Sequence, residues 1–241
     1  MNDDLQQLLQ NLKLKAILAR FDEMLAAAEK NGTPIPTFVA QLLRAEWHAR
    51  QEQALAARIR RASFKEAWTL ESFPFKLQTG VKERQIRTLA ELEFIPKAEN
   101  IVMIGETGVG KTGLMVALAR KAVQNGYRAL FIQAQDLFDQ MYASVADRSS
   151  RKLLNSLVKI DLLCVDELGY ANVKPEQTNI FFKLMEERHH RRPTLITTNL
   201  PFVAWQDFLG NPALTKALLS RLRERCHTII IDGPCLRAQQ G

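Results

Sequence analysis

The sequence predicts an α/β fold: a parallel sheet flanked by helices, organised around a phosphate-binding loop and preceded by a small all-α domain. Three observations lead there. Residues 105–112, Gly105-Glu106-Thr107-Gly108-Val109-Gly110-Lys111-Thr112, match every fixed position of the G-x-x-x-x-G-K-[ST] loop. From Ile101 onward, short and almost wholly apolar segments alternate with helical patterns, as strands buried on both faces of a parallel sheet do. Ahead of them, apolar residues recur only at three- and four-residue intervals.

The helical part comes first. Leu5, Leu8, Leu9, Leu12, Ile17, Phe21, Met24, Leu25 and Ala28 describe one or two amphipathic helices, which Asn31-Gly32-Thr33-Pro34 ends. A further helix is expected after Pro36 with Thr37 as its cap, carrying Phe38, Leu42, Ala45 and Ala49 toward Ile59. It and its end bear Arg44, Arg50, Arg58, Arg60, Arg61 and Lys65 against only Glu46 and Glu52. Arginine forks suit phosphate oxygens, so these five arginines are candidate DNA contacts; a solvated helix face reads the same way. Residues 1–66 are thus expected to form the helical domain, 67–96 a connector and 97–241 the nucleotide domain. In the connector, Phe73-Pro74-Phe75 reads as a fixed turn able to pack on a base, and a helix is expected through Ile86, Leu89, Leu92 and Phe94.

The sheet follows. Ile101 to Ile104 runs into the loop, and Leu114, Met115, Ala117, Leu118 and Ala119 leave it as a helix. Ala129 to Ile132 is a strand, then come helices through Leu137 and Met141 and through Leu153 and Leu157, and the strand Leu162 to Val165. A helix from about Pro175 to His190, the strand Thr194 to Thr198, helices around Trp205 and Leu214, and a last strand, Thr228 to Ile231, complete the pattern.

Composition limits the partners. The 241 residues are 46% hydrophobic, enough for one large or two modest domains. No apolar run approaches the roughly 20 residues that span a bilayer. Met1-Asn2-Asp3-Asp4 lacks the basic start of a signal peptide, so a cytoplasmic protein without membrane partners is expected. Cys164, Cys226 and Cys235 have no metal or disulfide spacing. A net charge of +7 points to an anionic partner.

The chemistry rests on residues whose types fit their places. Glycines 105, 108 and 110 free the loop to turn its N–H groups inward around an anion at a helix start. Lys111 is expected at the β- and γ-phosphates of ATP or ADP, and the Thr112 hydroxyl on Mg²⁺. Gly105, Thr107, Gly108, Val109, Gly110, Lys111, Thr112 and Gly113 are the candidate nucleotide-binding set. Asp166 and Glu167 end an apolar strand; Asp166 is expected to orient Mg²⁺ with Thr112, and Glu167 to polarise the attacking water. Thr197-Thr198-Asn199 ends the next strand, where an uncharged side chain reaches the γ-phosphate or water; a plain turn at Asn199-Leu200-Pro201 reads equally from the residues. Arg221, Arg223 and Arg225 fall within five positions of a basic helical segment, and an arginine brought to the γ-phosphate from a neighbouring subunit would neutralise transition-state charge. His189 and His190 suit a helix C-terminus better than a metal.

With these residues in place, the chain resembles the IstB-like ATP-binding proteins, transposition helpers related to the DnaC helicase loaders and to DnaA within the AAA+ class. Arg61-Ala62-Ser63-Phe64, Asp166-Glu167-Leu168-Gly169-Tyr170, Asn199-Leu200-Pro201-Phe202 and Asp232-Gly233-Pro234-Cys235-Leu236-Arg237 carry the likeness besides the loop. The resemblance implies an AAA+ fold, DNA binding by the helical domain, ATP-dependent homo-oligomers on duplex DNA and a DDE-type transposase as partner. It makes Asn199 sensor I, Arg221 the finger acting in trans and Arg237 sensor II. A DnaC-like helicase loader, or an ATP-gated scaffold with negligible hydrolysis, would share the nucleotide residues.

Overall fold

The computed structural model of the protein describes residues 1–236. Five strands, β1 (Asn100–Gly105), β2 (Ala129–Gln133), β3 (Leu162–Asp166), β4 (Thr194–Thr198) and β5 (Cys226–Ile231), pair in parallel in the order β2-β3-β4-β1-β5. Every residue of β3 and β4 is buried, so helices must cover both sheet faces. They are α5 (Lys111–Gln124), α6 (Ala134–Ala146), α7 (Ser150–Val158), α8 (Pro175–Arg188), α9 (Trp205–Leu209) and α10 (Pro212–Glu224). The core runs from Val102, Val165 and Ile196 of the sheet to Leu137, Phe138, Phe181, Leu184 and Leu218 of these helices. Phe138 and Phe181 meet edge to face at 5.4 Å. The strand order puts β4 between β1 and β3. The ends of the phosphate-loop strand and the acidic strand therefore flank Thr197 and Thr198.

Local chemistry sets the ends of these elements. Gly110, at φ 93, starts α5 from a left-handed position that disfavours side chains. Pro212 opens α10, and the Asn211 side chain accepts from Leu214 N–H at 3.1 Å. Helix α8 ends at Arg188, short of the expected His190, because His189 turns to ψ 131 and His190 to φ 55. Strand β5 begins two residues earlier than expected, its register with β1 running from Asn100↔Cys226 to Gly105↔Ile231.

Before the sheet lie α1 (Asp3–Asn11), α2 (Lys15–Lys30), α3 (Ile35–Ala62) and α4 (Glu83–Leu89). Helix α3 starts at Ile35, so Thr37 lies inside it; Pro36 sits in the first turn, whose N–H groups have no helical partner anyway. Helix α4 stops at Leu89, and Leu92 adopts φ 64. The expected longer helix is thus a short one followed by turns that bury Leu92 and Phe94.

The chain forms two compact units, Met1–Ala57 and the remainder from Arg58. Leu9, Ile17 and Leu42 make the first unit's core, with Phe21 and Phe38 edge to face at 6.1 Å. Residues 58–66 and the segment 67–96 group with the sheet. Among the described residues no helix is long and apolar enough to cross a membrane.

Candidate nucleotide site

Where β1 ends, the loop turns through Gly108 (φ 83) and Gly110 (φ 93) into α5, so backbone N–H groups and a helix start face one point. Lys111 is buried, and its Nζ donates to the carbonyls of Gly105 and Glu106 at 2.8 Å each. A Cβ at Gly110 would stand 2.9 Å from the Phe73 ring, and one at Gly105 would overlap the Ile231 carbonyl. The loop is therefore packed closely behind the cradle.

A cavity of about 410 Å³ opens over it, lined by Thr107, Gly108, Gly110, Lys111, Thr112 and Gly113 from the loop and by Glu167. That volume falls in the usual range for a small-molecule site. Trp68, Phe73, Pro74 and Leu77 wall one side with apolar surface, and Trp68 packs over Gly113. Trp68 and Phe73 are edge to face at 6.1 Å. The phosphate cradle thus continues into an aromatic recess of the kind that holds a planar base.

Beneath the cavity, Thr112 Oγ1 lies 3.1 Å from both carboxylate oxygens of Asp166. Burial raises the Asp166 pKa; hydrogen bonds from Thr197 and Thr112 oppose it, while the charge of Glu167 adds to it. A buried carboxylate beside a hydroxyl at a phosphate loop fits a hard divalent cation such as Mg²⁺, which takes oxygen ligands. Glu167, at the cavity wall, has φ 59, a left-handed conformation for a residue with a side chain.

Asn199 does not line the cavity. It stands behind the turn Leu168–Tyr170, where its Oδ1 is buried without a hydrogen-bond partner among the described residues and a Cβ on Gly169 would overlap it. Tyr170 closes that turn over the loop through a hydroxyl contact with Thr107. Val109 is buried under the loop. Arg221 lies away from the cavity of its own chain, on α10, bound to Glu186 at 3.2 Å and over the Phe182 ring at 5.2 Å. Arg237 lies outside the described residues.

Of the basic candidates, Arg44, Arg60 and Arg61 are exposed, and Arg58 is half-buried. Arg50 pairs with Glu46 at 2.8 Å and donates to the Lys13 carbonyl at 3.2 Å. His189 and His190 both reach Glu224, at 3.2 and 3.3 Å.

Sequence reasoning missed several site residues. Gln78 is fully buried; its amide donates to the Val109 carbonyl at 2.8 Å and the Pro234 carbonyl at 3.1 Å, tying the loop to two distant segments. Leu236 N–H adds a bond to the Gly108 carbonyl at 2.9 Å. Trp68 and Leu77 were missed too, with the aromatic composition of the 67–96 segment as the available signal; Tyr170 was read only as part of the Asp166–Tyr170 motif.

The model of the IstB-like ATP binding proteins matches residues 7–241. The chain belongs to that family. Relatives include an IS21 insertion-sequence ATP-binding protein of Pseudomonas aeruginosa, 30% identical over 237 residues, covering 98% of this chain and 89% of the relative. Another is the IS5376 ATP-binding protein of Geobacillus stearothermophilus, 30% identical over 232 residues, with 96% and 92% covered. Among solved structures, DnaI aligns at TM-score 0.59 and 21% identity over 68% of this chain and 91% of that one. AMPPCP-bound DnaA from Aquifex aeolicus aligns at 0.57 and 20% over 70% and 52%. These structural likenesses establish the AAA+ P-loop fold; the family establishes ATP binding as the site's setting.

Proposed function

We propose that this family member is a Mg²⁺-dependent ATPase that assembles on duplex DNA and acts as a transposition helper, selecting target DNA and stimulating a DDE-type transposase. The observation that carries the catalytic part is the placing of Thr112 against Asp166 at 3.1 Å under a cradle that Glu167 also faces. Loop N–H groups and Lys111 bind and orient the phosphates. Thr112 and Asp166 would hold Mg²⁺, which when bound would neutralise phosphate charge. Glu167 accepts a proton from the attacking water, and Asn199, packed behind the turn Leu168–Tyr170, supports that turn beside the site.

Arg221 completes the site of a neighbouring subunit. Its side chain is about one-third exposed; it donates to the Ala217 carbonyl at 3.3 Å and engages exposed Glu186 and the Phe182 ring, the last two contacts being exchangeable for a phosphate. Hydrolysis then depends on assembly. Arg44, Arg60 and Arg61, with half-buried Arg58, supply the positive surface for DNA; Arg50 serves it less, being engaged by Glu46. The insertion-sequence relatives favour transposition over helicase loading, which is supported by likeness of fold alone.

The test is ATP turnover with and without duplex DNA. Glu167→Gln should retain ATP and DNA assembly while turnover falls about 100-fold or more; normal turnover would remove Glu167 from its role. Lys111→Ala should abolish ATP-dependent DNA binding, and unchanged binding would uncouple nucleotide from assembly. Pull-down against a transposase and a replicative helicase separates the two partner readings.

A further inference from the structure

We infer that Thr197, on the strand between the loop strand and the acidic strand, is the residue that positions both acids of the site. The inference rests on the ATPase reading above. Thr197 is fully buried, yet its one hydroxyl serves two groups. Oγ1 donates to Asp166 Oδ1 and accepts the Glu167 backbone N–H at 2.9 Å. The roles are fixed: a hydroxyl carries one hydrogen, a carboxylate only accepts, and an N–H only donates.

The two bonds hold different things. The one to Asp166 gives its carboxylate a second hydroxyl partner besides Thr112. Were the Thr112 hydroxyl to turn to a metal ion, Thr197 would still donate to Asp166. The bond from Glu167 N–H holds the peptide where the chain leaves β3 for its left-handed turn at φ 59. The other backbone contact of that residue is its carbonyl, which accepts from Tyr170 N–H at 3.1 Å. A rotation about that peptide swings the Glu167 carboxylate away from the water it must activate. Such orienting contacts behind reactive groups typically carry about 10- to 100-fold in activity.

The experiment uses full-length wild type, Thr197→Val and Thr197→Ser. Valine keeps the shape of the side chain and loses both bonds; serine keeps the hydroxyl. In Thr197→Val, DNA-stimulated kcat should fall about 10- to 100-fold while affinity for a non-hydrolysable ATP analogue without Mg²⁺ stays within about threefold; Thr197→Ser should recover most of kcat. Thermal melts monitor folding, and Thr197→Ala replaces the valine variant if that does not fold. Equal loss in the serine and valine variants, or a valine variant with normal kcat, would overturn the inference. Wild type without turnover would instead overturn the ATPase reading, and so the two failures are distinct.

Discussion

Arg188 is a guanidinium inside the protein, 1% exposed. Its donors go to the carbonyls of Leu157 and Ile160 at 2.8 Å each, to Thr194 Oγ1 at 3.1 Å and to the Pro193 carbonyl. Burial pushes its pKa down to about 9, and Arg192 adds to the shift. One side chain thereby closes the ends of α7, α8 and the entry to β4. Arg188→Ala strands these buried oxygens and should cost about 3 kcal/mol or more in denaturant unfolding; a loss under about 1 kcal/mol would contradict this role. Gly169 acts at the site itself. A Cβ there would overlap the Asn199 carboxamide. Gly169→Ala should therefore lower turnover and leave nucleotide affinity near wild type, as measured by analogue binding beside kcat; a joint loss of both would place the damage in the phosphate loop. The loop and the acid pair were legible in the sequence because each is a local motif. Gln78 was not, and Thr197 was legible only as part of the strand-end triplet with Thr198 and Asn199, since a buried polar residue shows its purpose only through partners far along the chain.

Among the elements, α2 has an unusual start. Leu14 precedes it and gives no side-chain cap. Glu46 of α3 supplies the acceptor from outside, taking Ala16 N–H at 2.8 Å and Ile17 N–H at 3.3 Å. A carboxylate there also meets the positive end of the helix dipole. Burial alone would raise the Glu46 pKa, but hydrogen bonds from Arg50, Ile17 and Ala16 outweigh it and hold it below the ordinary range. The folded state therefore favours the carboxylate. Its contribution is complete above the free-carboxyl pKa of about 4.3 and is lost as pH falls through the lower folded value. Glu46→Ala should destabilise the first unit by about 2 kcal/mol at pH 7, with a smaller difference at pH 3. Hydrogen exchange of α2 amides in the full chain reads this directly; equal costs at both pH values would contradict it. The apolar pattern foretold α1 to α3 through their period, but a cap borrowed across 30 residues leaves no periodic trace. The same limit applies to α4, where periodicity ran on to Phe94 while the backbone turned left-handed at Leu92.

At the scale of the molecule, the five strands were legible because fully buried parallel strands are continuous apolar runs. Their order was not, although it decides the site by setting β4 between the loop and the acids. The formal charge of +7 gives a further expectation. DNA affinity should fall steeply as salt rises, and Arg60→Ala with Arg61→Ala should reduce the slope of log affinity against log salt by roughly one to two. An unchanged slope would move the DNA surface elsewhere. Under the proposed function, the coupling of fuel to assembly would rest on a site shared between subunits, with the acids in one chain and Arg221 in the next. The direct measurement mixes Glu167→Gln, which keeps the arginine, with Arg221→Ala, which keeps the acids, and follows ATP turnover on duplex DNA. In random assemblies roughly one interface in four pairs an intact pocket with an intact arginine, so turnover should rise well above that of either variant alone. Turnover no greater than the average of the two separate variants, in assemblies shown to contain both, would contradict the shared site.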